Sequence, residues 1–342
     1  MKAAILYGRE DLRVEEVGAK PLRPGEVRMG IKAALTCGTD LKVFQRGYHA
    51  KMITPPAVFG HEMAGVIIEV ASDVTGWQVG ERVVVANSAP CGECYFCRQR
   101  RENLCDDLQF LNGAYAESVA VPARIVQRNM VRLKPGTSYA DAALTEPLAC
   151  VAQGAQDCEL QEDQRLLVIG SGPIGLMFTA LARYVGCVVT FAGRGEQRLA
   201  LARRLGAGHV VDVSGADDVV AAVRNGCTEA FDVVIEAVGK PATWDAALKL
   251  VRKGGTVNFF GGCPSDTSIS LDTGLMHYSS LKLVASFHHT PAAIRQALGY
   301  IEKGLIRAAD FVNGECKLEE LPALFKAMAR GNRAVKTLVR TA

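Results

Sequence analysis

Four cysteines fall within fifteen residues, as Cys91-x-x-Cys94-x-x-Cys97 followed by Cys105. Four thiolates at about 2.3 Å satisfy a tetrahedral zinc and leave no open position, so such a site stiffens a loop and does no chemistry. Pro90 and Gly92 suit a tight loop folded round an ion. Arg98, Arg100 and Arg101 share the lobe and admit a rival, a basic zinc knuckle that touches nucleic acid. The cysteines form one lobe rather than two separated pairs, and no aromatic ladder accompanies them. The Arg run therefore reads as a solvated face and the lobe as a structural zinc site; a chance cluster of unmetallated thiols is the bland alternative.

A second set of candidate ligands is dispersed: Cys37, then Gly60-His61-Glu62, then Glu146 in TEPLAC. Taken singly, a lone Cys is usually core and a lone His structural. A third motif changes their meaning. RLLVIG runs into Gly170-Ser171-Gly172-Pro173-Ile174-Gly175 and then into an apolar-periodic helix. The first Gly permits the tight turn, the second lets backbone approach a pyrophosphate, and the third allows close helix–strand packing. The helix N-terminus adds N–H donors and positive dipole. A glycine-rich turn with no ligand is the plain alternative, but strand before and helix after are the context of a dinucleotide site. Hydride transfer from an alcohol also requires removal of the hydroxyl proton. A zinc with three protein ligands and an open position polarises the oxygen and lowers the pKa of bound water or alcohol towards about 7.

Two textures along the chain say what must position these groups. Residues 1 to about 150 carry short Val/Ile runs broken by Gly and Pro, such as GEVRMGIKAAL, GVIIEV, RVVVAN and ESVAVP. They predict a mainly β region, a partly open barrel. From about residue 164, strands and helices alternate: RLLVIG, PIGLMFTALARYVG, CVVTFAG, EQRLALARRLGA, HVVDV, ADDVVAAVRNG, FDVVIEAVG, TWDAALKLVRKG and TVNFFGG. That alternation predicts an α/β domain, a doubly wound Rossmann parallel sheet covered on both faces. LKLVASF, at 281–287, is its last expected strand. The tail from 288 reads helix (PAAIRQALGYIEKG), strand, helix (LEELPALFKAMARG) and strand (VKTLVR), returning to the first lobe.

Composition narrows the function classes. The 342 residues exceed the size at which single cores stop growing, so two domains are expected. A net charge of +3 is too mild for nucleic acid to be the main partner. No run approaches 18 apolar residues, and MKAAILYGREDLRVEE turns charged before a signal-peptide core forms. A cytoplasmic protein with no membrane partner is expected, and its eleven cysteines should be metal ligands or core rather than disulfides.

The run Gly60-His61-Glu62-Met63-Ala64-Gly65, continuing to Val74, resembles the zinc signature of the medium-chain alcohol/polyol dehydrogenases. Cys37-Gly38-Thr39-Asp40, the four-Cys lobe, Glu146-Pro147 and GSGPIG occur in that family's order, so the resemblance spans essentially the whole chain. It implies a catalytic domain (1–151), a dinucleotide-binding domain (152–287) and a C-terminal return to the catalytic domain (288–342). It implies Cys37, His61 and Glu62 near a catalytic zinc, with Glu146 as a ligand or water-mediated partner, and Thr39 as the hydroxyl that begins the proton relay. Which of Glu62 and Glu146 binds the metal directly stays open. Glu146, where the alcohol dehydrogenases carry a second Cys, resembles the sorbitol, polyol and threonine dehydrogenase branch; Cys150 reads as core. Many relatives have a His where this chain has Lys42, and an ammonium has no acceptor capacity. His49, in GYHAKMITPP, reads either as a substrate contact or as a solvent-exposed loop residue.

The resemblance thus implies two zinc ions, a nicotinamide cofactor, a homodimer or homotetramer, and oxidation of a secondary alcohol of polyol or sugar type to a ketone. L-Threonine 3-dehydrogenase-like oxidation is the alternative within the enzymes, and a non-catalytic nucleotide-binding or redox-sensing relative the alternative outside them. For the cofactor, the acidic residue of the NAD fingerprint falls about 20 residues past the glycines. That position, eighteen residues past Gly175, is Gly193, followed by Arg194 with Arg198 one helical turn on. A missing carboxylate and a planar guanidinium fork favour a 2′-phosphate, so the expected cofactor is NADP in preference to NAD.

Overall fold

The computed structural model describes residues 1–49, 51–227, 229–331 and 334–341. The chain divides into two compact units, Met1–Ala149 with His289–Ala342, and Cys150–His288. The division falls inside the helix Thr145–Asp157.

In the second unit, six parallel strands lie in the order His209–Asp212, Val188–Gly193, Arg165–Ile169, Phe231–Glu236, Val251–Phe259 and Lys282–Val284. Numbered along the chain this is 3-2-1-4-5-6, with the strand order reversing between Arg165–Ile169 and Phe231–Glu236, where doubly wound folds bind ligands. Leu166, Leu167, Val168 and Ile169 are all buried, as expected for a strand covered on both faces. The helix Pro173–Val185 opens with Pro at its first turn and stops at Gly186, whose φ of 105° an L side chain resists. One boundary differs from the sequence reading. The helix Pro241–Leu250 ends before Val251, which is already extended and pairs with Phe231. Strand pairing there overrides the helical periodicity of KLVRKG.

The first unit is built on a seven-stranded sheet. Its main path runs Met130–Arg132, Arg82–Val85, Glu62–Val70, Val27–Leu35, Lys336–Arg340 and Val312–Lys317, with Ser118–Val121 also pairing Val27–Leu35. The expected strands are present. The β reading passes over the helix Gly38–Arg46, which a Cys37 cap and buried Leu41, Val43 and Phe44 hold between strands. Beneath it lies an aromatic cluster. Phe325, from the late helix Leu321–Ala329, sits 5.5 Å from Phe44, 5.5 Å from Phe59 and 6.0 Å from Tyr115, measured between ring centroids. The tail is thereby packed onto the elements that carry the dispersed ligands. Phe325→Ala should cost about 3–5 kcal/mol, the usual range for emptying such a site. Urea unfolding followed by circular dichroism checks it, and a loss below about 1 kcal/mol would show that the cluster does not anchor the tail.

Candidate functional site

Cys37 follows the strand Val27–Leu35 and caps the helix Gly38–Arg46, its Sγ accepting the Thr39 N–H at 3.4 Å. The cap fixes the direction in which this sulfur points. Gly60, at φ 88°, turns the chain into the strand Glu62–Val70; a Cβ there would lie 2.6 Å from the Tyr115 ring. The turn delivers His61 and Glu62, whose ligand atoms and Cys37 Sγ all lie within 4.8 Å of one another. A sulfur, an imidazole and a carboxylate within that distance are the donor types that zinc takes.

Two residues that were not singled out in the sequence fix these donors. Asp40 Oδ1 lies 2.8 Å from His61 Nδ1, and Asp40 Oδ2 accepts the Tyr115 hydroxyl at 2.6 Å. A carboxylate on Nδ1 makes that nitrogen the donor and leaves Nε2 as the ring's ligand atom. Burial pulls the His61 pKa down, but Asp40 and Cys37 outweigh it and hold it well above the ordinary value. The second is Lys336, whose Nζ donates to Glu62 Oε1 and Oε2 at 2.6 and 2.5 Å and to the Thr36 carbonyl at 3.2 Å. Both partners are buried, and although burial lowers the Lys336 pKa, Glu62 and then Cys37 raise it overall. Lys336 is an ammonium facing a carboxylate.

Glu146, in the first turn of the helix Thr145–Asp157, is buried. Its Oε1 lies 4.0 Å from His289 Nε2, which in turn is 2.8 Å from Asn87 Oδ1. Burial pushes the Glu146 carboxyl up to about 7; His61 opposes the shift and Glu62 adds to it. Thr39 is half-buried beside Cys37, and Lys42 is exposed. His49 Nδ1 accepts the N–H groups of Lys51 and Met52, folding its own loop. Cys150 falls in the second unit.

The four-Cys lobe is local. Cys91 and Cys97 sulfurs are 3.9 Å apart, as are Cys94 and Cys105. Four sulfurs at 2.3 Å from a tetrahedral zinc would be about 3.8 Å apart. Backbone N–H groups of Cys91, Gly92, Glu93 and Cys94 donate to these sulfurs at 3.2–3.4 Å. Those from Glu93 and Cys94 bring the Cys91 thiol down to about 6, whereas burial pushes Cys97 up to about 12. Arg98, Arg100 and Arg101 are exposed, and all eleven cysteines are free thiols.

In the second unit, a Cβ on Gly175 would lie 1.9 Å from the Gly170 carbonyl oxygen, so only glycine lets the helix approach its strand. Gly172 caps the helix that Pro173 and Ile174 open, and a Cβ there would meet nothing within 4 Å. Open space over helix N–H groups fits a pyrophosphate. Ser171 Oγ accepts the Arg194 N–H at 3.1 Å, and its carbonyl accepts from Arg198 at 3.0 Å. Arg194 Nε donates to the Val213 carbonyl at 3.1 Å. The structure thus gathers Gly193, Arg194 and Arg198 at the glycine loop. Glu236, not anticipated, accepts from Val238, Gly239 and Thr243 and shapes the next loop.

Lys336→Met should strand the buried Glu62 carboxylate and destabilise the protein by about 3–5 kcal/mol. Adding Glu62→Gln should recover most of that loss in a double-mutant cycle read by urea unfolding. Additive losses would show that the two charges do not depend on each other.

Comparison with known proteins bears directly on this arrangement. Residues 23–131 match the alcohol dehydrogenase GroES-like domain family, and residues 173–303 match the zinc-binding dehydrogenase family. The chain is 35% identical to D-altritol 5-dehydrogenase of Agrobacterium fabrum, over 91% of this chain and 90% of that protein. It is 28% identical to sorbitol dehydrogenase of Bacillus subtilis, over 99% and 97%. Among solved structures, a zinc-binding dehydrogenase of Sinorhizobium meliloti 1021 bound to NADP superposes with a TM-score of 0.89 at 28% identity, covering 99% of this chain and 98% of that one. Among the described residues, no helix is long and apolar enough to cross a membrane. The chain belongs to the zinc-dependent medium-chain alcohol and polyol dehydrogenase family, and it is an oxidoreductase.

Proposed function

We propose that this enzyme oxidises a secondary alcohol of a polyol or sugar-type substrate to a ketone, or runs the reverse, with NADP preferred over NAD and two zinc ions per subunit. The observation that carries the reading is the Cys37, His61 and Glu62 donor cluster beside Thr39, in a chain whose other unit holds an open glycine loop. Zinc bound there would supply Lewis-acid polarisation of the alcohol oxygen. Cys37 and His61 would hold it. Lys336 engages both oxygens of Glu62, which supports Glu62 as a charge that balances the site and Glu146 as the carboxylate reaching the metal directly or through water. Thr39, anchored through its N–H on Cys37 Sγ, would receive the hydroxyl proton and pass it on.

The Cys91, Cys94, Cys97 and Cys105 lobe supports the second, structural zinc. Gly170 to Gly175 would hold the pyrophosphate and Arg194, with Arg198, the 2′-phosphate. The edge strand Lys282–Val284 supports a homodimer or homotetramer, since a terminal strand offers unpaired backbone to another copy. A cytoplasmic location accords with the free thiols. Altritol and sorbitol dehydrogenase relatives support the polyol class.

A panel of polyols, sugars, L-threonine and simple alcohols, followed by nicotinamide absorbance, should show turnover with secondary polyols. A chelator should remove one of two zinc ions first and abolish turnover before circular dichroism changes, with His61→Ala reproducing the loss. Turnover with L-threonine alone would move the substrate to the amino-alcohol class, and full activity in one-zinc or zinc-free enzyme would refute the metal assignment. In the same assay Arg194→Ala should raise KM for NADP while leaving KM for NAD nearly unchanged, and a higher wild-type kcat/KM with NAD would refute the cofactor preference.

A further inference from the structure

The end of the strand Val188–Gly193 is filled rather than merely uncharged. Gly193 does not adopt the left-handed backbone, so glycine is not required there for conformation. It is required for space. A Cβ on Gly193 would lie 2.7 Å from Ser171 Cβ and 2.8 Å from Phe191 Cε1. Neither neighbour can easily retreat. Phe191, two residues earlier and on the same face of the strand, is fully buried. Ser171 is tied at its hydroxyl by the Arg194 N–H and at its carbonyl by Arg198. Asp212, the register partner of Gly193 on the next strand, has its carboxylate turned to the Ser214 N–H at 2.8 Å.

We propose that Ser171 and Phe191 are specificity-determining residues, which occupy the volume that a strand-end carboxylate would need. Resting on the NADP reading above, this makes selection of the 2′-phosphorylated nucleotide an exclusion as well as an attraction. A carboxylate that hydrogen-bonds a free ribose cannot be installed at residue 193 unless those two side chains are cut back. Arg194 meets the phosphate from the adjoining position.

Calorimetric binding of adenosine 2′,5′-bisphosphate and of ADP to the full chain tests this without turnover, alongside thermal melting. Gly193→Asp should lower Tm and weaken both probes at least about fivefold, the low end of what overpacking a filled site costs. Gly193→Ala, which adds bulk and no charge, should weaken the bisphosphate by a similar factor. Ser171→Gly/Phe191→Val/Gly193→Asp should regain ADP binding and lose the bisphosphate preference. The inference is overturned if Gly193→Asp alone gains ADP binding with Tm unchanged, if Gly193→Ala binds like wild type, or if the triple variant folds and gains no ADP affinity. Should the triple variant not fold, the Gly193→Ala arm decides. Wild-type preference for ADP would instead overturn the cofactor reading itself.

Discussion

The buried ion pair between Glu62 and Lys336 is the interaction on which the first unit is organised. Removing either charge from water alone costs several kcal/mol, so each side chain is tolerable only where the other is present. Their meeting requires three strands in register. Leu35 pairs with Glu62 on one side and with Leu338 on the other, which brings the last strand of the chain to the start of Glu62–Val70. The Thr36 carbonyl takes a further proton of the ammonium. Phe325 reinforces the same closure from beneath by packing the tail helix against Phe44 and Phe59.

Charge is allotted around this pair so that each buried group faces its own named partners. Asp40 faces His61 and Tyr115, Glu62 faces Lys336, and Glu146 lies near His289, which Asn87 orients. Cys37 is directed by the helix it caps. The result is a sulfur and an imidazole nitrogen with fixed directions, with Glu62 held by Lys336 and the Glu146 carboxyl pushed up by burial. The four-Cys lobe follows a different principle. Its sulfurs are organised by backbone N–H groups two to five residues away, or fourteen for the Cys91–Cys105 contact, so it needs little from the rest of the fold.

The second unit solves a packing problem and a recognition problem with the same residues. Gly175 lets helix and strand close to contact, and the loop that results is braced to the neighbouring strand end through Ser171. That brace sets how near Gly193 and Arg194 stand to the glycine loop. A change in the loop is therefore felt at the strand end.

The features legible in the sequence are those encoded over short separations. The Cys91 to Cys105 spacing, the Gly170 to Gly175 loop with its flanking strand and helix, and the alternating texture from residue 164 all express local geometry, because a loop round one ion or a turn into one helix is built from adjacent residues. His61 and Glu62 stood out only once a dinucleotide site gave them a purpose. Asp40 was present in the quoted run Cys37-Gly38-Thr39-Asp40, but nothing in that run says that its carboxylate faces an imidazole 21 residues away. Lys336 carried no signal, since one lysine on a terminal strand looks like any solvated cation. Its pairing with Glu62, 274 residues distant, is decided by strand register and burial. The filled space around Gly193 is likewise a property of two side chains, Ser171 and Phe191, closing on one backbone position, not of either alone. The sequence alone determined which chemistries the chain can host; the tertiary structure decided which charge each donor faces, because long-range pairing selects partners that no local pattern specifies.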